Sequence, residues 1–271
     1  MTSQERQQAE LAPEAARAAL AWLADAGLDA IVEDAPTNWA LSQRRPVSAK
    51  VPVSAKVEEP QAKFTPKKMP TTSLAQADEA AQIAAQCSDL TSLKAAMDAF
   101  DGCALKGTAT QLVFADGPAD ADLMLIGEAP GRDEDAQGLP FVGAAGQLLN
   151  RILAASGTAR EAVYITNLVP WRPPGNRKPT PLEMQICLPF LRRHIALKAP
   201  KAVVMLGATP VSALCDTTDG ITRLRGKWRT IEIDGQSIPA LPTFHPAYLL
   251  RQPSHKRFVW PDMLSLMDKM A

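Results

Sequence analysis

The chain has 271 residues, 46% of them apolar, and its 29 basic side chains balance its 29 acidic ones. This composition is ordinary for a globular protein and excludes bulk positive charge as a basis for binding polyanions. No run of about 18 apolar residues could span a bilayer, and the N-terminus lacks an apolar signal core, so we expect a cytoplasmic protein with no membrane partner. The four cysteines are widely spaced, which argues against a disulfide framework.

The first part of the chain contains two different kinds of sequence. Residues 13–33 predict a short helix or a helix pair, within an N-terminal helical segment that we place at 1–43. Residues 44–71 are rich in proline and lysine and carry PVSAK twice, at 46–50 and 52–56. Such a tract predicts a linker or a disordered arm. We favour a plain spacer over a basic tether for a partner.

From residue 72 to 271 the pattern predicts one further domain. Helical periodicity at 73–87 and 89–100 gives way after Gly102 to alternating elements. Thr180 and Pro181 fit the cap and first position of a long helix over 180–200. The strand-like segments are 111–117, 121–131, 162–169, 201–206 and 237–243, and a further helix is predicted over 144–157.

Strands that alternate with helices predict an α/β fold. We expect three layers, αβα, around a central and mostly parallel sheet of four to five strands. In such sheets a site forms in the loops beyond the carboxyl ends of the strands. Polar residues follow four of the predicted strands, after Ile126, Thr166, Leu206 and Phe244. These loops are therefore where the chemistry should be sought.

The densest pattern is GEAPGRDEDAQGLPFVG at 127–143. Its glycines and proline predict a sharp turn whose backbone can approach a ligand closely. Glu134 lies in an acidic run, and Phe141 precedes a glycine-flanked helix start. A planar heterocycle could stack on the phenyl ring while a carboxylate positions water. A solvated acidic loop with a core phenylalanine explains the same spacing equally well.

Two more loops offer polar groups at strand ends. Asn167 ends the strand at 162–169, and its amide carries both a donor and an acceptor for the edge of a base. His245 precedes a proline after the last predicted strand. A lone histidine is usually a packed or surface residue, but one fixed by a following proline in a candidate site loop is a better candidate.

Five blocks together resemble the family 4 uracil-DNA glycosylases. They are GEAPG-x-DED-x-QG-x-PFVG-x-AGQLL, ITN-x-V-x-WRPPGNR, VVMLG, LRGKW and FHPAYLLR, in family order, and they cover about residues 100–265. The resemblance implies a glycosylase-like catalytic domain over 72–271. It also implies that the protein flips uracil out of DNA and hydrolyses its bond to the sugar, the first step of base excision repair.

The family implies a role for each matched residue. Phe141 is similar to the aromatic that stacks on the flipped uracil, Asn167 to the amide that binds its Watson–Crick edge, and His245 to the histidine beside its O2. His245 would stabilise the negative charge that develops on the leaving base, and Glu134 could orient water or stabilise the cationic sugar. The remaining candidates line the pocket: Glu128 as a third catalytic residue, Ala129 as a base contact and Asn176 as a weaker one.

Contacts to DNA are expected from a basic surface and an apolar wedge. The side chains at Leu249 and Leu250 could enter the gap that the flipped base leaves. Cations would neutralise phosphates and make binding depend on salt. The candidates are Arg172, Arg177, Lys178, Arg225, Lys227, Arg251, Lys256 and Arg257. An ordinary solvated surface with two buried leucines is the alternative.

The expected partner is uracil-containing DNA, single- or double-stranded, bound by a monomer.

The cysteines depart from the family pattern. Typical members hold a 4Fe–4S cluster on four cysteines, and here only Cys103 and Cys187 match, as the second and fourth. Phe100 and Trp171 stand at the other two positions, and neither side chain binds iron. We therefore expect no cofactor and disfavour a surviving cluster, with Phe100 and Trp171 filling the space as apolar packing.

Three alternatives stay open at this point. The first is a DNA-binding protein that recognises uracil without releasing it; some relatives trap uracil-DNA covalently through a histidine near the equivalent loop, and residues 171–179 contain none, which disfavours trapping. A glycosylase of broader range, acting also on hypoxanthine or xanthine, fits a divergent member. A nucleotide-metabolising enzyme is disfavoured because no G-x-x-x-x-G-K-[ST] motif is present.

Overall fold

The computed structural model describes residues 74–270. The helical segment predicted at 1–43 and the linker predicted at 44–71 lie outside the described residues.

Helices and strands alternate along most of the described chain. Two helices, α1 (Leu74–Gln86) and α2 (Leu90–Ala99), precede the first strand, and short 3-10 turns occupy Ala104–Gly107, Arg160–Ala162, Pro174–Asn176 and Pro253–His255. The other elements are, in order, β1 (Leu123–Gly127), α3 (Arg132–Gln137), α4 (Ala144–Ala155), β2 (Val163–Asn167), α5 (Pro181–Lys198), β3 (Ala202–Leu206), α6 (Ala208–Cys215), α7 (Ile221–Leu224), β4 (Arg229–Ile233), β5 (Gln236–Thr243), α8 (Pro246–Arg251) and α9 (Lys256–Met270).

The five strands form one mixed sheet in the order β2-β1-β3-β5-β4. The pairs β1–β2, β1–β3 and β3–β5 are parallel, and only β4 runs antiparallel, beside β5. The predicted, mostly parallel sheet is therefore confirmed. The register sets Gly127 opposite Asn167 and Leu206 opposite Thr243, so the carboxyl ends of four strands meet at one edge.

Both faces of the sheet are covered, which confirms the three predicted layers. Along β1, Leu123 and Leu125 pack with α4, α8 and α9 in one core cluster. Met124 and Ile126 point the other way and pack with α1, α2 and α5 in a second cluster. Side chains alternate along a strand, so a fully apolar strand requires this double cover.

The strand predicted at 111–117 is wrong. This segment forms an isolated antiparallel bridge, in which Asp116 and Ile165 exchange backbone hydrogen bonds of 3.0 and 2.8 Å, and the Val113 N–H donates to the Pro170 carbonyl at 3.0 Å. Conversely, sequence reasoning missed β4. Its hairpin to β5 turns on Asp234 and Gly235, which have φ values of 49° and 78°. An Asp-Gly pair between alternating apolar residues is a known pattern for such a turn.

The helices predicted over 73–87, 89–100, 144–157 and 180–200 are confirmed, as α1, α2, α4 and α5. Thr180 caps α5 as expected: its hydroxyl accepts from the Glu183 N–H at 3.2 Å, and the Glu183 carboxylate accepts from the Thr180 N–H at 2.7 Å. Residues 246–251, expected to be a proline-containing turn, instead form α8. Pro246 is at its first position, where its missing N–H costs no hydrogen bond.

Candidate active site

A pocket of about 560 Å³ opens at the carboxyl edge of the sheet. It gathers side chains that are far apart in sequence but that all follow β1, β2, β3 or β5. Every predicted catalytic and base-binding residue lies on its wall, namely Glu128, Ala129, Glu134, Phe141, Asn167, Asn176 and His245.

Gly127 lets two of these groups approach each other. A Cβ atom at this position would lie 2.4 Å from Asn167 Oδ1 and 2.7 Å from the Phe141 ring. Any larger residue would therefore displace both side chains. The amide and the ring are buried, at 5% exposure each. The glycine that ends β1 thus holds a hydrogen-bonding amide beside an aromatic face.

The imidazole of His245 completes this group. Its ring lies 5.5 Å from the Phe141 ring between centroids, with a tilt of 31°. Gly207, which has a φ of +93°, passes directly behind it, since a Cβ there would be 3.1 Å from the His245 Cβ. The structure therefore brings His245, Phe141 and Asn167 together in one pocket.

The local fold fixes the protonation of His245. Nδ1 accepts a hydrogen bond of 3.1 Å from the backbone N–H of Ala247 and so caps α8. Burial, and to a smaller extent the charge of Arg251, lowers the pKa of His245 to about 4. The ring is therefore neutral near pH 7. With Nδ1 an acceptor, its proton sits on Nε2, which is available as a donor.

Glu134 lines the pocket, but backbone groups already engage its carboxylate. One oxygen accepts from the N–H groups of Val142 and Gly143 at 3.1 and 2.9 Å, and the other accepts from Gly131 at 3.1 Å. These bonds tie the turn after β1 to the segment before α4. Glu134 thus supplies a fixed negative charge and a brace for the pocket wall, with little freedom to move.

Glu128 has a partner that sequence reasoning did not find. Its carboxylate accepts a hydrogen bond from the hydroxyl of Thr209, and both residues line the pocket. Thr209 lies in the first turn of α6, far away in sequence, so no local pattern announces the pair. Ala129 is half-buried beside them, and Asn176, on the outer rim, accepts a 2.7 Å hydrogen bond from Arg172 Nε.

The predicted DNA contacts divide into exposed and buried groups. Arg177, Lys178 and Arg251 line the mouth of the pocket, although Arg177 also forms a two-pronged ion pair with Glu183. Leu250 is 42% exposed. The others on the outside are Arg172, which is partly buried, and Lys227 and Arg257, which are exposed.

Three predicted DNA contacts are not available at the surface. Leu249 is fully buried in the core, so only its neighbour could act as a wedge. Arg225 forms an ion pair with the buried Asp262 and is 18% exposed, and Lys256 is 6% exposed. The sequence pattern could not reveal that Arg225, directly after α7, Leu249 on α8 and Lys256 on α9 turn inward.

The two family-matched cysteines lie in the core, in what we call the apolar cluster: Phe100, Cys103, Trp171, Cys187 and Phe190. All five side chains are at most 4% exposed, and the Phe100 and Phe190 rings meet edge to face at 5.2 Å. The thiols of Cys103 and Cys187 are hydrogen-bonded, and this bond, followed by burial, raises the pKa of Cys187 well above its usual value.

These donors do not fit a four-thiolate iron–sulfur cluster. Trp171 and Phe100 are buried together with the two thiols, as apolar packing. Across residues 74–270, no three histidine, cysteine or acidic side chains are grouped so that they could hold a metal ion. Cys87 and Cys215 lie at the ends of α1 and α6 and join no such group.

Within residues 74–270, we find no helix with the length and apolar character needed to span a bilayer.

Comparison with known proteins agrees with this geometry. Residues 114–264 match the model of the uracil DNA glycosylase superfamily. The type-4 uracil-DNA glycosylase of Thermotoga maritima is 42% identical over 167 residues, which are 59% of this chain and 84% of the relative. Those of Archaeoglobus fulgidus and Saccharolobus solfataricus are 41% and 39% identical, over 56% and 58% of this chain and 78% and 74% of their own length. The chain therefore belongs to the uracil DNA glycosylase superfamily.

Proposed function

We propose that this protein is a uracil-DNA glycosylase, which takes a uracil rotated out of DNA and hydrolyses its N-glycosidic bond. The observation that carries the proposal is the meeting of Phe141, Asn167 and a neutral His245 in one pocket at the carboxyl edge of the sheet. The type-4 relatives, whose names state this activity, support the proposal.

Base recognition follows from the first two groups. The buried Phe141 ring offers a face on which the everted base stacks. The Asn167 amide offers an acceptor and a donor, which complement the N3–H and O4 of uracil. Cytosine presents the opposite pattern along that edge, with an acceptor at N3 and a donor at N4. The amide therefore favours the deaminated base.

Cleavage moves an electron pair from the sugar to the base. The bond between C1′ and N1 breaks with both electrons going to uracil, so that negative charge spreads to O2 while the sugar becomes cationic. His245 Nε2–H donates a hydrogen bond at O2 as this charge grows. Water then adds its oxygen to C1′, and the proton that this water loses balances the proton taken up by the uracil anion. The carboxylates of Glu128 and Glu134, on the same wall, stabilise the cationic sugar.

Residues at and near the mouth of the pocket bind the DNA. Arg177, Lys178 and Arg251 surround the opening, and Lys227 and Arg257 are exposed. Leu250 projects next to Arg251 and fits the gap left by the everted base. Phosphate contacts of this kind release counterions, so binding should weaken steeply as salt rises. Rotating the base costs a few kcal/mol, less at a mismatch than at a normal pair.

A second part of the proposal concerns the cofactor: this chain works without an iron–sulfur cluster. The support is that, of the four family ligand positions in the apolar cluster, two hold thiols, Cys103 and Cys187, and two hold aromatic side chains, Phe100 and Trp171. Protein purified without oxygen should contain no stoichiometric iron and show no visible absorbance from a cluster. Iron at four atoms per chain would overturn this part.

The activity is tested with labelled oligonucleotides, single- and double-stranded, that carry uracil, hypoxanthine, xanthine or a thymine mismatch. Alkali then cleaves any abasic site. Cleavage at uracil alone supports the proposal, and cleavage at the purine bases as well indicates a broader deaminated-base glycosylase. Tight binding to uracil-DNA with no cleavage indicates a binding protein and contradicts the proposed activity.

A further inference from the structure

Arg160 lies behind the pocket wall and contacts the backbone that carries Phe141. It begins the 3-10 turn Arg160–Ala162 that leads into β2. Its Nη1 donates to the Phe141 carbonyl at 3.2 Å, and its Nη2 donates to the Pro140 carbonyl at 2.9 Å. One guanidinium therefore binds two consecutive peptide groups of the turn that presents the aromatic ring.

The guanidinium is itself held in place. The Asp116 carboxylate accepts from Nε and Nη2 at 3.2 and 2.7 Å, and the Asn150 side chain accepts from Nη1 at 2.9 Å. The side chain of Arg160 is only 18% exposed. A planar fork bound on three sides has one available orientation, so the two carbonyls are held at fixed positions.

The turn needs such a hold because Phe141 is in an unfavourable backbone conformation. Its φ of 55° lies in the left-handed region, which a bulky residue rarely occupies. Its carbonyl lies close against α4, an approach that only a glycine at 146 permits, since a Cβ atom there would lie 1.7 Å from the Phe141 oxygen. Strained residues at sites persist only where the surroundings fix them.

We propose that Arg160 is a positioning residue for the uracil-stacking face: it holds the strained Phe141 turn so that the ring stays beside Asn167 and His245. This inference rests on the proposed function, since stacking on the base is what gives the placement its value. Arg160 touches neither base nor sugar and acts only through the Pro140 and Phe141 carbonyls.

The test compares Arg160→Gln and Arg160→Lys with a matched control, Arg193→Gln. Arg193 also joins a carbonyl to a carboxylate, since it donates to the Cys87 oxygen at 2.6 and 2.9 Å and to Asp234 at 3.2 Å, but it lies outside the pocket wall. The readouts are the thermal midpoint, the single-turnover rate of uracil release, and the C–H proton resonances of the histidines. Only three histidines are present, and the spectrum of His245→Ser identifies the resonance of His245.

We expect Arg160→Gln to slow uracil release by about 10- to 100-fold, the scale of a small misplacement in a site. It should also shift the His245 resonance, because the ring current of Phe141 acts over the 5.5 Å between the two rings. Arg160→Lys keeps the charge but not the fork, so it should recover stability more than rate. Arg193→Gln should lower the midpoint without changing the rate or that resonance.

Wild-type rate and an unshifted His245 resonance in Arg160→Gln would overturn the inference, as would an equal loss of rate in Arg193→Gln. If Arg160→Gln does not fold, Arg160→Lys and Asp116→Asn are judged by the same readouts. If the wild-type protein releases no uracil, the proposed function fails, and the resonance alone still decides whether Arg160 places the ring.

Discussion

The pocket edge, by which we mean Glu134, Phe141, Asn167 and His245, differs from the apolar cluster in the partners of its side chains. At the pocket edge, polar groups such as the Glu134 carboxylate and the Nδ1 atom of His245 each have backbone partners. In the apolar cluster, Trp171 and Phe100 pack around the thiols of Cys103 and Cys187, which are hydrogen-bonded to each other. Both regions share one loop, since Trp171 follows Asn167 by four residues. The contrast indicates that chemistry is concentrated in the first region and stability in the second.

The largest effect should come from emptying the apolar cluster. Trp171→Ala removes a side chain that is 1% exposed, and we expect a loss of about 3–5 kcal/mol in the free energy of unfolding, measured by denaturant titration. Well below the unfolding midpoint, single-turnover uracil release should stay near the wild-type rate. A loss of rate as large as that of a pocket variant would show that the two regions are not separable.

The substitution His245→Ser changes a side chain of the pocket edge and leaves the apolar cluster intact. A serine can still cap α8, so the fold should survive, while the donor to the leaving base is lost. We expect single-turnover release to fall on the order of 10²-fold, which is typical for one lost charge-stabilising donor. An unchanged rate would remove His245 from the mechanism, and an unfolding midpoint as low as that of Trp171→Ala would break the contrast.

Asn167→Ala should have a smaller effect on the same readout. Losing a two-point contact to a base edge costs about 1–3 kcal/mol, so we expect roughly a 10-fold loss of uracil release. Asn176→Ala should cost less, because that side chain is exposed at the rim and engages Arg172. The reverse order would move base recognition from the floor of the pocket to its rim.

The smallest effect should appear in the pH dependence. Because the pKa of His245 lies at about 4, the imidazole stays neutral as pH falls from 7 to 5, and the rate of release should change little. Near pH 4 a proton on Nδ1 would face the Ala247 N–H, and activity should fall. An acid limb centred on the ordinary histidine pKa of about 6.5 would contradict the burial of this ring.

The same shift affects stability. The pKa of His245 and of the buried His194, at about 4 and about 3, lies below that of the unfolded chain. The unfolded state therefore binds more protons below pH 6.5, and stability should be lost as pH falls towards these values. Thermal midpoints measured between pH 7 and pH 4 test this trend.

The sequence predicted the parts of the site that depend on strand ends. Asn167 and His245 could be predicted because parallel strands bring their carboxyl ends together, and Phe141 because it stands in the tight glycine-rich loop after β1. Arg160 and Thr209 could not be found, because their partners are distant in sequence and only the folded chain shows them. The burial of Leu249 could not be predicted because it depends on how α8 packs, whereas the Asp-Gly pair at 234–235 is a pattern that indicates the hairpin joining β4 to β5.

The cap that His245 places on α8 has a consequence for tolerated substitutions at that position. One imidazole nitrogen supports a helix and the other is proposed to meet the leaving base, so one side chain is subject to two independent selections. A saturation library sorted for protein abundance should retain serine, asparagine and aspartate at 245, while the same library sorted for survival under cytosine deamination should discard them. Residues that pass the first sort and fail the second identify the half of the ring that faces the substrate.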